Sequence, residues 1–274
     1  MANTLMRFFA RLSMVLAATC FSSGAALCEE LVVPGSGNLE FVLGELAKAF
    51  NTSQSAHHVV VPPSSGHAGA VRDVSEGIAT LGRVGRPLTE PELAKGLTYI
   101  PLGRDAVVAV AGAAVTVRGI SSEQLKGIFG GKITDWRELG GQPAPIRAIG
   151  KEATDSIRRQ LGAKLPDLAY AESVKIVHLD PYLIELIDRY PSSFAIMNRS
   201  ALEACKSKVV ILALDGVLPS IDNLANGTYP LSTEFGLIYK AGRLSPAGKA
   251  FVDFIQSPNG EKILRAHGVL AKRH

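Results

Sequence analysis

Short apolar runs alternate with amphipathic stretches along most of this chain. Leu31-Val32-Val33 predicts a strand and Pro34-Gly35-Ser36-Gly37 a turn, after which Leu43, Leu46, Ala47 and Phe50 recur at helical spacing within a helix over Phe41–Phe50. Val59-Val60-Val61 predicts the next strand, Pro62 to Gly66 a turn, and Ala70 to Gly77 a helix. The run AVVAVAGAA from Ala106 to Ala114 lacks polar interruption, which suits a strand buried on both faces. Further strands are expected at Ile146–Ile149, Val174–Val177, Phe194–Met197 and Val209–Leu214. Ser121 or Ser122 can cap a helix bearing Leu125, Ile128 and Phe129, which Gly130-Gly131 stops. Ile133, Trp136 and Leu139 form a second apolar turn closed by Gly140-Gly141. The tail from Ser245 to Gly268 reads as a helix pair broken at Ser257-Pro258. This βα alternation predicts the α/β class with a largely parallel or mixed sheet.

A length of 274 residues is enough for two modest lobes. The first 28 residues contain no acid; Arg7 and Arg11 precede the apolar run Leu12–Ala18, and small residues follow at Ser23, Gly24, Ala25 and Ala26. That order predicts a secretory signal peptide over residues 1–26, cleaved after Ala26. The run is too short for a membrane span, which needs roughly 20 apolar residues. Neither Cys20 nor Cys28 has the larger aliphatic residue that a lipid-anchor site wants three positions earlier. Removal of the signal leaves 27 basic against 25 acidic residues, a net charge of +2. So mild a balance argues against a nucleic-acid partner. No Cys/His spacing points to a metal, and no cofactor is expected. Pairing of Cys28 with Cys205 in an oxidising compartment stays open.

Three turns carry the candidate chemistry. Gly35-Ser36-Gly37-Asn38 lies between a strand and a helix, where free amides and the helix dipole can hold an anion. It lacks the longer dinucleotide fingerprint, since Phe41 follows Glu40. Ser64-Ser65-Gly66-His67 occupies a second strand-to-helix turn, and Lys151-Glu152-Ala153-Thr154-Asp155-Ser156 a third. A serine hydrolase would want a Gly-x-Ser-x-Gly elbow, which is missing. Asp180 and Glu185 could be paired carboxylates, but both sit beside helical apolar residues and are expected to be solvated. The chain is not expected to be an enzyme.

Leu125-x-x-Ile128-Phe129-x-Gly131-Lys132-Ile133-Thr134-x-Trp136, with Gly140-Gly141 after it, resembles the phosphate-binding family of periplasmic binding proteins. Ser64–Val71, Glu76–Leu88, Leu214–Ser220, Asn226–Ser232 and Lys249–Gly260 resemble further motifs of that family, in its order, so the likeness spans about Leu31 to Leu270. The resemblance implies a two-lobed, type 2 binding-protein fold with a hinge and an inter-lobe ligand cleft. Lobe 1 would be residues 29–107 plus 223–274 and lobe 2 residues 108–222, with crossings near Val107–Val110 and Gly216–Asn223. It further implies a periplasmic monomer that captures a small anion, phosphate foremost, for the ABC permease of an inner membrane. The ligand-binding set carried over is Ser36, Gly37, Asn38, Leu39, Ser64, Ser65, Arg86, Lys151, Asp155 and Ser156. The chain departs from the family pattern where Thr80 replaces an aspartate, Gly85 a serine, and Lys151 the clamping arginine. Asp155 falls on a serine of the anion loop, Ser156 on a glycine and Ile157 on a threonine. A carboxylate there would cap the helix and compete with a dianion. The alternative is a sensor or adhesive module on the same scaffold with altered or no anion binding.

Overall fold

A computed structural model of the chain describes residues 29–205 and 208–272. The expected signal peptide and Cys28 lie outside those residues; Cys205 carries a free thiol. Among the described residues no helix is long and apolar enough to cross a membrane.

The first α/β block runs β1 (Glu29–Val32), α1 (Glu40–Ser53), β2 (His57–Val60), α2 (Gly66–Ser75), β3 (Gly82–Val84) and the single turn α3 (Glu90–Leu93). Helix α1 buries Val42, Leu43, Leu46, Ala47 and Phe50, as its spacing predicts. Helix α2 starts earlier than the apolar pattern indicates, at Gly66 rather than Ala70. The Ser64 hydroxyl takes the Gly66 amide at 3.2 Å, so polar residues before the apolar stretch already turn helically.

Strand β4 (Leu97–Ala111) is the spine of the molecule. It starts nine residues before the apolar run and stops at Ala111; at the next residue, Gly112, an added Cβ would sit 2.5 Å from the Pro191 carbonyl, a close approach that suits glycine. Then come β5 (Gly119–Ile120), α4 (Ser122–Phe129), β6 (Arg147–Lys151), α5 (Ser156–Lys164), β7 (Lys175–Val177) and α6 (Asp180–Arg189). The chain ends with β8 (Ser193–Asn198), β9 (Val210–Leu214), α7 (Ile221–Ala225), β10 (Ser232–Lys240), α8 (Pro246–Ile255), α9 (Pro258–Ala266) and β11 (Val269–Ala271). Ser121 caps α4 by accepting the Gln124 amide, and Gly131 and Gly140 take the positive φ that ends the two apolar turns.

The larger sheet is mixed, ordered β3-β10-β4-β8-β6-β7. Residues 97–106 of β4 pair antiparallel with β10, and Val107–Ala111 pair antiparallel with β8. Two large bodies of apolar packing lie along it, with a smaller one of Ala70, Val71, Val74, Val84, Leu97 and Ile238 under α2. One draws on residues up to Leu102 and again from Phe235 onward, with α1, α8 and α9 on it. The other gathers residues from Ala106 to Leu231, including Phe129, Trp136 and Phe194. Strand β10, to which the apolar pattern assigns nothing, contributes Phe235 and Leu237 to the first.

Asp105 sits on β4 between the two bodies, fully buried, its carboxylate accepting the Ser200 amide at 3.3 Å and the Ser200 hydroxyl. Burial raises its pKa to about 7, against the lowering effect of the Ser200 and Asn198 hydrogen bonds and the Arg199 charge. A carboxyl raised in the folded state binds its proton more tightly there than in the unfolded chain. Its contribution is therefore full below the unfolded value of 3.8 and is lost as pH rises toward about 7. Asp105→Asn should flatten that slope, which is about 1.4 kcal/mol per pH unit at most. Urea unfolding of both proteins across the window checks this; parallel curves would refute it.

Candidate functional site

Arg83 organises the first wall. Its side chain is fully buried on β3, and Nε donates to the Ser36 carbonyl at 2.9 Å, Nη2 to the Pro62 carbonyl at 2.8 Å and Nη1 to the Val33 carbonyl. Glu40 stands 3.6 Å from Nη2. Burial lowers the Arg83 pKa only to about 10, so the guanidinium stays charged at neutral pH. One side chain thus holds the ends of β1 and β2 together. Gly35, at φ +140°, lets the turn press on β3: an added Cβ would lie 2.0 Å from the Arg83 carbonyl. The Ser64 hydroxyl donates to the Gly35 carbonyl at 3.2 Å, and the Gly85 amide donates to Ser36 Oγ at 3.0 Å.

These ties hold the first two sequence turns side by side, and the third faces them across one cleft of about 500 Å³. Ser36, Gly37, Asn38, Ser64, Ser65, Arg86, Lys151, Asp155 and Ser156 all line it. Leu39 does not: its side chain is wholly buried in the first apolar body, because it faces inward as the turn enters α1. The amides of Gly37 and Asn38 open a single 3-10 turn (Gly37–Leu39) that leads into α1, and those of His67 and Ala68 open α2, where no intrahelical acceptor exists. Asn38 is 6% exposed, yet neither Nδ2 nor Oδ1 has a hydrogen-bond partner among the described residues. It occupies the space above Gly85, where an added Cβ would meet it at 2.7 Å.

Arg86 reaches the cleft already paired. Its guanidinium grips Glu92 through two bonds of 2.8 Å, and Glu92 also accepts the Thr89 amide and hydroxyl. The Arg86 bonds hold the Glu92 carboxyl well below the ordinary range. His67 Nε2 lies 3.0 Å from Glu92, while burial, and then Arg86, push the His67 pKa down. Ser65 and His67 therefore share the cleft with the imidazole engaged elsewhere.

The opposite wall carries a correction. Asp180 is not solvated: it is 7% exposed and accepts Lys151 Nζ at 2.8 Å. Lys151, itself 4% exposed, has Asp155 as a second neighbour at 3.7 Å. Glu185, one turn on, is exposed and pairs with Arg189 as a surface residue. The cue for Asp180 was local: Asp180-Pro181 directly after a strand is a helix-opening signal, and such an end faces the cleft in this architecture. Asp155 caps α5 through the Ile157 amide at 2.8 Å. Burial raises its pKa; Lys151 opposes the rise and Asp180 adds to it. Thr80 is exposed and off the cleft. Glu152, His178 and Arg159 complete the rim, with His178 Nδ1 2.7 Å from Glu152.

Among the described residues no cluster could hold a metal ion. The arrangement offers amides, hydroxyls and one unpartnered carboxamide on one wall, and an ammonium between two carboxylates on the other. That is binding chemistry for a small polar ligand.

The sequence model of the PBP superfamily domain matches residues 22–259. The phosphate-binding protein PstS of Bacillus subtilis (strain 168) is 26% identical over 268 residues, covering 91% of this chain and 87% of its own. The PstS of Borreliella burgdorferi is 20% identical over 247 residues, covering 87% and 88%. Among solved structures, a putative phosphate ABC transporter substrate-binding protein with bound phosphate from Clostridium perfringens superposes with a TM-score of 0.80. It is 24% identical and covers 89% of this chain and all of the other. An ABC-type phosphate transport receptor from Vibrio cholerae gives 0.64 at 22% identity, covering 88% and 99%. These neighbours are two-lobed α/β binding proteins, and the mixed sheet and helices described above match them. The chain belongs to the PBP superfamily, as a divergent relative of the phosphate-binding proteins.

Proposed function

We propose that this protein is the substrate-binding component of an ABC importer and captures phosphate reversibly in its cleft. The observation that carries the reading is convergence. A Cβ placed on Gly37 would lie 3.2 Å from Ser64 Oγ and 3.3 Å from Asp180 Oδ2, so turns from three separate chain segments meet around one small volume. The relatives named as phosphate-binding proteins, and the neighbour described with bound phosphate, support the choice of anion. The residues assigned are Ser36, Gly37, Asn38, Ser64, Ser65, Arg86, Lys151, Asp155 and Ser156, joined by Asp180; Leu39 acts only in the core beneath.

Lobes of residues 29–107 plus 223–274 and 108–222, hinged at β4 and near Gly216–Asn223, remain part of this reading; two large apolar bodies favour two lobes, although Leu224, Tyr229 and Leu231 pack with the second. In this reading the protein is a periplasmic monomer, delivered by a signal peptide over residues 1–26, that docks on an inner-membrane permease and catalyses nothing. One feature favours the sensor or adhesive alternative: the α5 end is already capped by a carboxylate. Calorimetric titration with phosphate, sulfate, molybdate and small carboxylates separates the two. Heat with phosphate, saturating at one site, is expected. Silence with every anion would overturn capture and leave the alternative standing.

A further inference from the structure

The two walls of the cleft differ in what they offer. On the first, the opening amides of α2 and of the 3-10 turn ahead of α1, the Ser65 hydroxyl and the unpartnered Asn38 carboxamide favour negative charge. Arg86 adds little net charge, because Glu92 neutralises it in a bidentate pair. On the second, the Lys151 ammonium faces both Asp155 and Asp180, with Arg159 at the rim and Glu152 paired with His178. The α5 amides that would otherwise receive an anion are spent on Asp155. On the first wall Glu40, at the start of α1, is a further carboxylate, itself balanced by Arg83. Asp180 Oδ2 is the oxygen turned toward Gly37 and Ser64, since Oδ1 accepts from Lys151. A carboxylate oxygen thus projects into the space between the walls.

A bare dianion meets the Asp155 and Asp180 carboxylates of this second wall as like charge, where Lys151 is already shared between them. A ligand that is anionic at one end and cationic at the other meets both walls as opposite charge. Size agrees: about 500 Å³ lies within the roughly 300–1,000 Å³ typical of sites for organic ligands, and orthophosphate is much smaller. We infer that the preferred ligand joins its phosphoryl group to an ammonium, as an aminoalkyl phosphate ester or phosphonate. The phosphoryl sits at the amides of Gly37, Asn38 and His67, and the ammonium against Asp180 and Asp155. The inference rests on reading the cleft as a phosphoryl site, and names the class of molecule that fills it.

Titration calorimetry of the full-length mature protein at neutral pH should use orthophosphate, ethyl phosphate and aminoethyl phosphate. Aminoethyl phosphate should bind at least about tenfold tighter than ethyl phosphate, which has its shape without the charge. Asp180→Asn should bring the two esters within about twofold, with Asp155→Asn as a second variant should the first melt below the titration temperature. Ethyl phosphate or orthophosphate binding as tightly as aminoethyl phosphate would overturn the inference and leave phosphate capture intact. A preference that survives both substitutions would also overturn it. If no phosphoryl compound binds at all, phosphate capture falls with it.

Discussion

Asp155→Ser is expected to tighten orthophosphate binding by roughly ten- to a hundredfold at neutral pH. The carboxylate lies in the cleft wall 3.7 Å from Lys151, with its Oδ1 on the Ile157 amide at the start of α5. A dianion seated in this cleft stands within several ångströms of it. Repulsion between unit charges at about 4 Å is on the order of 4 kcal/mol at an effective dielectric of 20. Solvent at the rim and the partial compensation by Lys151 reduce that to the few kcal/mol that the predicted range represents. Serine caps a helix about as well as aspartate, so the folded state should lose less than about 1 kcal/mol. Lys151 keeps Asp180 as its partner at 2.8 Å. Competition titration against the unsubstituted protein, with thermal melts alongside, makes the comparison. Unchanged or weaker affinity would mean that the carboxylate does not face the bound anion.

Arg83→Met should cost about 3–5 kcal/mol of stability, the range for breaking a buried charged network by removing one partner. Three carbonyls, of Val33, Ser36 and Pro62, would lose their donor, and Glu40 would lose the charge 3.6 Å away. Burial already raises the Glu40 pKa against the pull of Arg83; without the guanidinium that carboxyl has only its weaker hydrogen bonds. At roughly 2–4 °C per kcal/mol for a chain of this size, the melting temperature should fall by about 10 °C. Binding should weaken too, because the Ser36 and Ser64 turns lose their common anchor. A drop of a degree or two would show that the carbonyls find water and that the network is not a clamp.

Local periodicity made most of the fold readable. The α1 stripe, the Ser121 cap, the glycine stops at Gly131 and Gly140 and the Ser257-Pro258 break each follow from residues within one or two turns. Strand β10 escaped because its burial does not alternate: it is paired on both edges and covered on both sides through Phe235–Ile238, so no period of two appears. The site was legible as three turns, since strand-to-helix turns carry their chemistry in adjacent residues. Asp180 was read as solvated because its Asp-Pro pair marks the start of a helix and not the burial of the carboxylate. Its partner Lys151 lies 29 residues away, and nothing in the hydropathy around it marks a carboxylate that will be buried by a distant lysine. Leu39 was placed in the site by its neighbours, while its apolar side chain obeyed the core instead. Arg83 stood inside a recognised motif yet carried no sign that its guanidinium would turn inward onto main-chain carbonyls.

The spine strand has a consequence for the order in which the chain can become ordered. Its partner β10 binds it in registers from Ala106 with Ser232 to Leu97 with Lys240, spans of well over a hundred residues. Helix α1 packs its apolar face with Phe251 and neighbours from the far end of the sequence, through Phe50 rings 5.4 Å apart from Phe251. A ribosome-bound chain that has not yet produced residues beyond Leu231 can therefore close the second apolar body but not the first. Contacts so distant in sequence slow the search for the native state. The amino-terminal third therefore cannot complete its core until the carboxy-terminal sixth of the chain is available, however early the second body closes.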